Sequence, residues 1–296
     1  MNLCSPRNGL IGLVAVALVG CGGGGQPAPA ATSGARLAAD SSTTQPPPLS
    51  SSATSTTSTT STTSTTTTAP PPAPAPAPLA GKVITIDPGH NGGNFDAPSI
   101  INRLVNDGNG FKPCNTTGTA APDGYRETDF NWDVALRLRR ILQVAGARVV
   151  MTRSSNTGVG PCITERAAIA NRAHSDAAVS IHADGGPTNG SGFAVLVPAP
   201  IPSGANDAIL APSHRLALDV RSELLGIGLH ESTYDGIDGI APRTNLGGLN
   251  LSRVPVVLVE VANMQNQADE APMETPAYRE RVAHALARSL ERFVDR

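Results

Sequence analysis

The sequence has little of what several protein classes depend on. Aromatic residues make up 3% of its 296 residues, so a folded core has to be built from Val, Leu, Ile and Ala. The formal net charge is −2 and no run of Lys or Arg occurs. A basic surface for nucleic acid is therefore not expected. The Gly-x-Ser-x-Gly motif of serine hydrolases is also absent from the sequence, which argues against that class of enzyme.

A hydrophobic stretch long enough to cross a membrane is lacking at the N-terminus. The apolar run Leu10 to Val19 follows Arg7 and suits the core of a signal peptide instead. The sequence Leu18-Val19-Gly20-Cys21 comes next and resembles a bacterial lipobox, in which the cysteine is lipidated and becomes the mature N-terminus. We therefore assign residues 1–20 to a lipoprotein-type signal peptide. The protein is then exported to the cell envelope, lipid-anchored at Cys21 on the outer face of the cytoplasmic membrane, or else secreted.

The segment after the signal peptide is poor in apolar residues. Ser, Thr, Pro and Ala dominate it, with a Ser/Thr run from Thr54 to Thr68 and alternating Ala and Pro beyond. Such a composition buries too little apolar surface to offset the entropy of ordering. We assign residues 21–79 to a disordered linker and residues 80–296 to one folded domain, which is large enough for a single core.

Cysteine is scarce, and the four cysteines separate by position. Cys4 and Cys21 flank the N-terminal apolar run, which leaves Cys114 and Cys162 in the folded domain. Two cysteines in an exported domain can pair in an oxidising compartment. We predict a Cys114–Cys162 disulfide, with two free thiols as the alternative.

Buried-type strands alternate with amphipathic helices through the domain, which predicts an α/β fold with a mostly parallel twisted sheet and helices on both faces. The helices are expected after Glu127 and up to Gly146, from Ile163 to Ala173, from about Pro212, and around Leu286. The predicted strands are Val83–Ile86, Arg148–Met151, Ala177–His182, Gly192–Val197 and Val256–Val261.

Local signals predict where these elements begin and end. Asp87-Pro88-Gly89 is expected to end the first strand, because Pro lacks an N–H and Gly favours a turn. Thr128 or Asp129 is the expected cap of the helix after Glu127. The segment from Asn91 to Tyr125 is rich in Gly, Asn and Pro and is predicted to be an irregular loop, a feature that is often functional.

Three of the predicted strands end in an ionisable residue. These residues are His90, His182 and Glu260, and parallel strands bring their carboxyl ends to one edge of the sheet. The long loop delivers Glu127 to the same edge. Two imidazoles and a carboxylate with an open fourth position are typical of hydrolytic zinc sites, and a further carboxylate can act as a general base.

Each of these residues also has a structural interpretation. His90 could lie on the surface, and Glu127 could simply favour the positive end of a helix dipole. Glu260 in an apolar strand could be the partner of Arg153 or Arg166 in a buried salt bridge. The remaining histidines have no strand-end position, and we expect them to be structural: His174, His214, His230 and His284.

Together these motifs resemble the zinc-dependent N-acetylmuramoyl-L-alanine amidases of the Amidase_3 family, over about Lys82 to Val294. The matching features are Ile86-Asp87-Pro88-Gly89-His90, the Glu127 position, Thr152-Arg153, the helix with Arg166 and Asn171, Ser180-Ile181-His182-Ala183, and Glu260 followed by Asn266. The chain departs from the family pattern at Asp184, where Asn is usual, and at Ala262-Asn263, where a hydrophobic pair is common.

The resemblance implies a peptidoglycan hydrolase that cleaves the amide bond between N-acetylmuramic acid and L-alanine of the stem peptide. It implies that His90, Glu127 and His182 bind Zn²⁺ and that Glu260 is the catalytic carboxylate. Peptidoglycan or muropeptides would be the partners, and we expect a monomer that contacts the membrane only through its lipid anchor. The alternatives are a catalytically weak peptidoglycan-binding lipoprotein and a zinc peptidase or deacetylase that acts on another cell-wall bond.

Overall fold

The computed structural model describes residues 77–296. The signal peptide, Cys21 and almost all of the linker lie outside the described residues. None of the helices in residues 77–296 is long and apolar enough to cross a membrane. In chain order the elements are β1 Val83–Pro88, α1 Pro98–Ile101, β2 Leu104–Asn106, β3 Phe111–Pro113, α2 Glu127–Val144, β4 Arg148–Met151, α3 Ile163–Ala173, β5 Ala177–Asp184, β6 Ala194–Pro198, α4 Asp207–Gly226, β7 Ile240–Arg243, α5 Gly247–Asn250, β8 Val256–Asn263, α6 Gln267–Met273 and α7 Pro276–Val294.

The main sheet has six strands in the order β4-β1-β5-β8-β6-β7. The strands β4, β1, β5 and β8 are parallel to one another, whereas β6 pairs antiparallel with β8 and parallel with β7. The mostly parallel α/β sheet predicted from the sequence is therefore confirmed. The strand β7 was not predicted, because Pro242 and the nearby glycines hide its apolar character.

The two faces of the sheet are covered unequally. We call the side covered by α2, α4 and α7 the thick face, because its aliphatic side chains pack with those helices into the larger core. Leu79 is already buried in this core, and its N–H donates to the carbonyl of Ala145. We call the other side the thin face, since α3, α5, their flanking loops and only the first turn of α4 cover it. Side chains of a strand alternate between the two faces.

The first strand runs further than predicted, because β1 continues through Pro88. The carbonyl of Ile86 accepts from the N–H of Thr152, the residue after β4, and the N–H of Gly89 donates to the carbonyl of Ile181 in β5. The backbone groups of successive residues point alternately to the two neighbouring strands. The backbone of Pro88 therefore faces the β4 side, at a level beyond the end of β4 at Met151. Its missing N–H therefore leaves no neighbouring strand unpaired.

The helix that was expected to begin at about Pro212 begins at Asp207. A proline in a helix interior removes one hydrogen bond, which is why the sequence predicted a later start. The first turn is held by tertiary contacts instead. Ile209 is buried against the thin-face cluster, and the side-chain amide of Asn206 donates to the carbonyl of Ala199 at 2.9 Å.

Two local predictions for the region before α2 were wrong. The helix begins at Glu127 itself, with Arg126 at the N-cap position, so neither Thr128 nor Asp129 caps it. The segment from Asn91 to Tyr125 is not wholly irregular, because it contains α1 and the β2–β3 hairpin. The predicted disulfide is present: Cys114, just after β3, is bonded to Cys162, which precedes α3.

Candidate metal centre and active site

His90, Glu127 and His182 form a compact cluster at the carboxyl end of the parallel strands, and we call it the His–Glu–His cluster. The Oε1 atom of Glu127 lies 3.2 Å from Nε2 of His90 and 2.9 Å from Nδ1 of His182. The two imidazole rings are perpendicular, with their centroids 4.8 Å apart. The three residues predicted from strand ends and the long loop are thus brought together.

His90 is presented by the turn that follows β1. It adopts a left-handed backbone with a φ of 55°, a conformation uncommon for a residue with a side chain. Its Nδ1 atom lies 3.2 Å from the carbonyl of Thr116 and 3.0 Å from the hydroxyl of the same residue. A proton on Nδ1 satisfies that carbonyl and leaves Nε2 as the nitrogen that faces Glu127.

The turn before His90 is anchored by a partly buried carboxylate. Asp87 accepts hydrogen bonds from Thr152 at 2.5 Å, from Arg166 at 2.7 Å and from Ser180 at 2.6 Å. We call these four residues the Asp87 network. The guanidinium of Arg166 also donates to the carbonyls of Pro88 at 2.8 Å and His90 at 2.6 Å. The network therefore holds the backbone that carries His90.

The second arginine considered from the sequence reinforces the same turn. Arg153 is buried and donates to the carbonyls of Pro88 at 2.9 Å and Ser155 at 2.8 Å, and to the side chain of Asn91 at 2.9 Å. Both candidate partners for a salt bridge with Glu260 are thus engaged elsewhere. The structural interpretation of Glu260 as half of such a pair is wrong.

Glu127 reaches the cluster from the first residue of α2. Its side chain is buried and receives backbone N–H donors from Thr119 at 2.9 Å and Ala183 at 3.3 Å. The side-chain amide of Asn131, one helical turn later, donates to Oε1 at 3.2 Å. These donors fix both carboxylate oxygens, so the orientation of Glu127 is set before any metal arrives.

His182 lies at the end of β5 with its ring against the backbone of Gly89. A Cβ atom at position 89 would overlap the imidazole, which explains the need for glycine between Pro88 and His90. In the neighbouring strand β8, Glu260 is the register partner of His182. Register partners in adjacent strands project to the same face, so Glu260 stands beside the cluster on the thin face.

Glu260 differs from every other carboxylate of the site. Its Oε2 atom is buried and has no hydrogen-bond partner among residues 77–296. Burial raises the pKa of Glu260 well above its ordinary value of 4.5, and the charges of Glu127, Asp184 and Asp235 raise it further against the opposing effect of Arg243. A buried acceptor without a donor is uncommon and is found where a group serves function.

The pKa values within the cluster reflect mutual dependence. Burial by itself would raise the pKa of Glu127, but the two imidazoles hold it well below its ordinary value. Burial would lower the pKa of His90, yet the adjacent carboxylate raises it above the ordinary value of 6.5. Burial dominates at His182 and lowers its pKa. The carboxylate therefore stays charged, and its environment favours a cation between the two rings.

Sequence reasoning missed a group of residues around Glu260. The hydroxyl of Tyr234 donates to Asp184 at 2.9 Å, and Arg243 forms a salt bridge with Asp235. We call Glu260 with Asp184, Tyr234, Asp235 and Arg243 the Glu260 environment. The only available sequence signals were the departure from the family pattern at Asp184 and a tyrosine in an aromatic-poor chain.

The donor set of the His–Glu–His cluster fits a metal ion. Two imidazole nitrogens and one carboxylate oxygen lie within 4.8 Å of one another, and these are the ligand types of zinc sites that keep an open position. A second acidic group, formed by Asp123, Glu270 and Glu274, is largely exposed and offers no imidazole. The buried cluster is therefore the candidate metal centre of the described residues.

Comparison with known proteins identifies a consistent set of relatives. The model of the N-acetylmuramoyl-L-alanine amidase family, Amidase_3, matches residues 84–292. The chain is 43% identical to the N-acetylmuramoyl-L-alanine amidase Rv3717 of Mycobacterium tuberculosis over 219 residues, which covers 74% of this chain and 89% of that protein.

Solved structures give the same result. The structure of the amidase Ami1 of Mycobacterium smegmatis is 44% identical in sequence and has a TM-score of 0.69. The alignment covers 73% of this chain and 98% of that one. The apo form of Ami1 from Mycobacterium abscessus is 43% identical, with a TM-score of 0.68, and covers 73% of this chain and 99% of that one.

Proposed function

Because the chain belongs to the N-acetylmuramoyl-L-alanine amidase family, we propose that it hydrolyses the amide bond between N-acetylmuramic acid and L-alanine in peptidoglycan. The observation that carries this proposal is the His–Glu–His cluster with Glu260 beside it, on a chain that the family model matches over residues 84–292. An exported protein meets this substrate in the cell wall, in agreement with the signal peptide predicted from the sequence.

We propose that His90, Glu127 and His182 hold one Zn²⁺. Bound there, the ion would supply Lewis-acid chemistry, which polarises a carbonyl and lowers the pKa of water. The residues around the cluster prepare this position. Thr116 orients His90, and the donors from Thr119 and Ala183 orient Glu127, so the ligand atoms need little rearrangement.

Glu260 is proposed to act as the general base and then as the general acid. Its carboxylate takes the proton from the attacking water and passes it to the nitrogen of the leaving alanine. The unpartnered Oε2 atom leaves Glu260 free to accept that proton. A cation in the neighbouring cluster would favour the charged form of Glu260 and offset the effect of burial on its pKa.

Digestion of purified peptidoglycan tests this function directly. The exported protein is incubated with sacculi, with and without a chelator, and the new chain ends are identified. Free amino termini of L-alanine on released stem peptides are expected, and the chelator should abolish them. New amino termini at a later residue of the stem would indicate a peptidase, and free glucosamine would indicate a deacetylase; either product contradicts the proposal.

The metal and the state of the protein are tested with the same material. Elemental analysis should find one zinc per active chain, and His182→Ala should lose both zinc and activity. Mass spectrometry of the exported protein reports whether Cys21 carries a lipid or the chain is secreted without one. Sedimentation of the protein after removal of any lipid tests the expectation that it is a monomer.

A further inference from the structure

A cavity of about 290 Å³ lies between the thin face of the sheet and the helices α3 and α5. The sheet contributes Ala178, Val256 and Leu258 to its wall, and α3 contributes Ala167 and Ala170. The cavity exists because the facing side chains of the sheet and α3 include several alanines, whereas the thick face is filled by larger Leu, Ile and Phe side chains. Its volume is close to the lower limit of small-molecule sites.

Three hydroxyl groups in the cavity wall are already engaged in hydrogen bonds. The hydroxyl of Thr85 lies 2.6 Å from that of Ser175, and the hydroxyl of Ser180 donates to Asp87 at 2.6 Å. The hydroxyl of Ser252 donates to the carbonyl of Val254 at 2.8 Å. Away from Asn245 and the two histidines of the His–Glu–His cluster, a polar occupant would find few free donors or acceptors, so that part of the cavity favours an apolar chain.

Two cations line this apolar space, Arg166 and Lys112, and the guanidinium of Arg166 already donates to Asp87 and to backbone carbonyls. Lys112, in the β2–β3 hairpin, is half-buried and lines the cavity. Among residues 77–296 its ammonium has neither a salt bridge nor a side-chain hydrogen bond, unlike most arginines of the domain. A half-buried ammonium at the rim of an apolar cavity suits a ligand with an anionic head and an aliphatic tail.

We propose that this cavity binds a medium-chain fatty acid, with its aliphatic chain between the sheet and α3 and its carboxylate at Lys112. His90 and His182 also line the cavity, so the bound chain lies next to the His–Glu–His cluster. The site is formed by residues of the described domain, and its existence does not depend on the proposed amidase reaction.

Calorimetry on the full chain tests the proposal with straight-chain carboxylates from butanoate to octanoate. Each methylene that enters the cavity should tighten binding about fourfold. In the wild-type protein, nuclear magnetic resonance should show contacts from octanoate to the methyl groups of Leu249 and Leu258. An affinity that is independent of chain length, or contacts only at other sites, would overturn the proposal.

Substitutions in α3 and the hairpin locate the tail and the head separately. Ala167→Leu and Ala170→Leu fill the cavity, and each should abolish the increase in affinity with chain length. Ala168→Leu, on the same helix but outside the cavity wall, should retain that increase. Lys112→Gln should weaken octanoate about two- to fivefold and leave 1-octanol unchanged. Equal weakening of octanoate and 1-octanol would contradict the placement of the carboxylate. If both filled variants fail to fold, the wild-type series still decides the proposal.

Discussion

Asp87 and Glu260 are partly buried carboxylates on the same face of the same sheet, and β5 runs between them. Asp87 is the register partner of Ser180 on one side of β5, and Glu260 is the register partner of His182 on the other. The Asp87 network gives its carboxylate three side-chain donors, one of them a guanidinium. In the Glu260 environment one carboxylate oxygen has no donor among the described residues.

The difference separates a carboxylate that is held by donors in the fold from the one that we propose takes part in the reaction. Burial by itself would raise the pKa of Asp87, but the charge of Arg166 and the hydrogen bonds from Ser180, Thr152 and Arg166 lower it to about 2. For Glu260 burial and neighbouring negative charges act in the same direction and raise the pKa. Desolvation acts on both residues, so the donors and the neighbouring charges decide that the pKa of Asp87 is lowered and the pKa of Glu260 is raised.

The largest expected effect is at Glu260. Glu260→Gln keeps the shape of the side chain and removes the base, so turnover should fall by roughly 10²–10⁴-fold. Zinc content, measured on the same sample, should remain at the wild-type level. The exposed Glu165→Gln on α3 serves as the control. Loss of zinc together with activity would make Glu260 a ligand and contradict its assignment as the base.

The Asp87 network should respond in stability rather than in chemistry. Arg166→Met leaves the partly buried Asp87 charge without its cation and should lower the free energy of unfolding by about 3 kcal/mol. The measurement is denaturant unfolding, and Asp87→Asn in the same chain should recover part of the loss. Arg172→Met on the same helix breaks an exposed pair with Glu165 and should change stability by less than about 1 kcal/mol. A similar loss in both variants would contradict the special role of Arg166.

The two carboxylates should give opposite dependence of stability on pH in chelator-treated protein. The pKa of Asp87 is lowered from 3.8 to about 2, so its contribution of about 2 kcal/mol is present above pH 4 and is lost between about pH 4 and 2. The pKa of Glu260 is raised above 4.5, so stability falls as the pH rises from 4.5 through that raised value.

Single substitutions show which carboxylate causes each of the two losses of stability in the pH profile. Asp87→Asn should remove the acid-side loss only, and Glu260→Gln should remove the loss at higher pH and stabilise the metal-free protein near neutral pH. Unfolding curves at a series of pH values measure both effects. If Glu260→Gln destabilises the metal-free protein at pH 7, the carboxylate has a stabilising partner, and the contrast with Asp87 is not valid.

The smallest expected effect is at the edge of the Glu260 environment. Tyr234→Phe removes the hydroxyl that donates to Asp184 and should lower the free energy of unfolding by about 0.5–1.5 kcal/mol. Because Asp184 lies near Glu260, we also expect a change of a few-fold in kcat with little change in zinc content. Tyr125→Phe, whose hydroxyl lies 3.4 Å from Arg279, is the matched control. Equal changes in kcat for the two variants would indicate no link to Glu260.

The strands and the long helices could be read from the sequence, because their signals are local. Apolar runs such as Val256–Val261 mark strands, the spacing of Phe130, Val134 and Leu138 marks a helix face, and α3 has the predicted limits of Ile163 and Ala173. The limits that failed depend on distant contacts. Pro88 fits a strand only because β4 ends before it, and Pro212 fits a helix only because Ile209 is buried elsewhere.

By itself, the sequence determined that histidines and a glutamate end parallel strands and must therefore meet at one edge of the sheet, and that two cysteines remain to pair. Only the tertiary structure decided which charges share that edge. From the sequence, Arg153 and Arg166 were equal candidates to neutralise Glu260. In the structure both guanidinium groups donate to the carbonyl of Pro88 instead. Periodicity records which face of an element is buried, whereas a hydrogen-bond partner is set by the register and spacing of elements far apart in the chain.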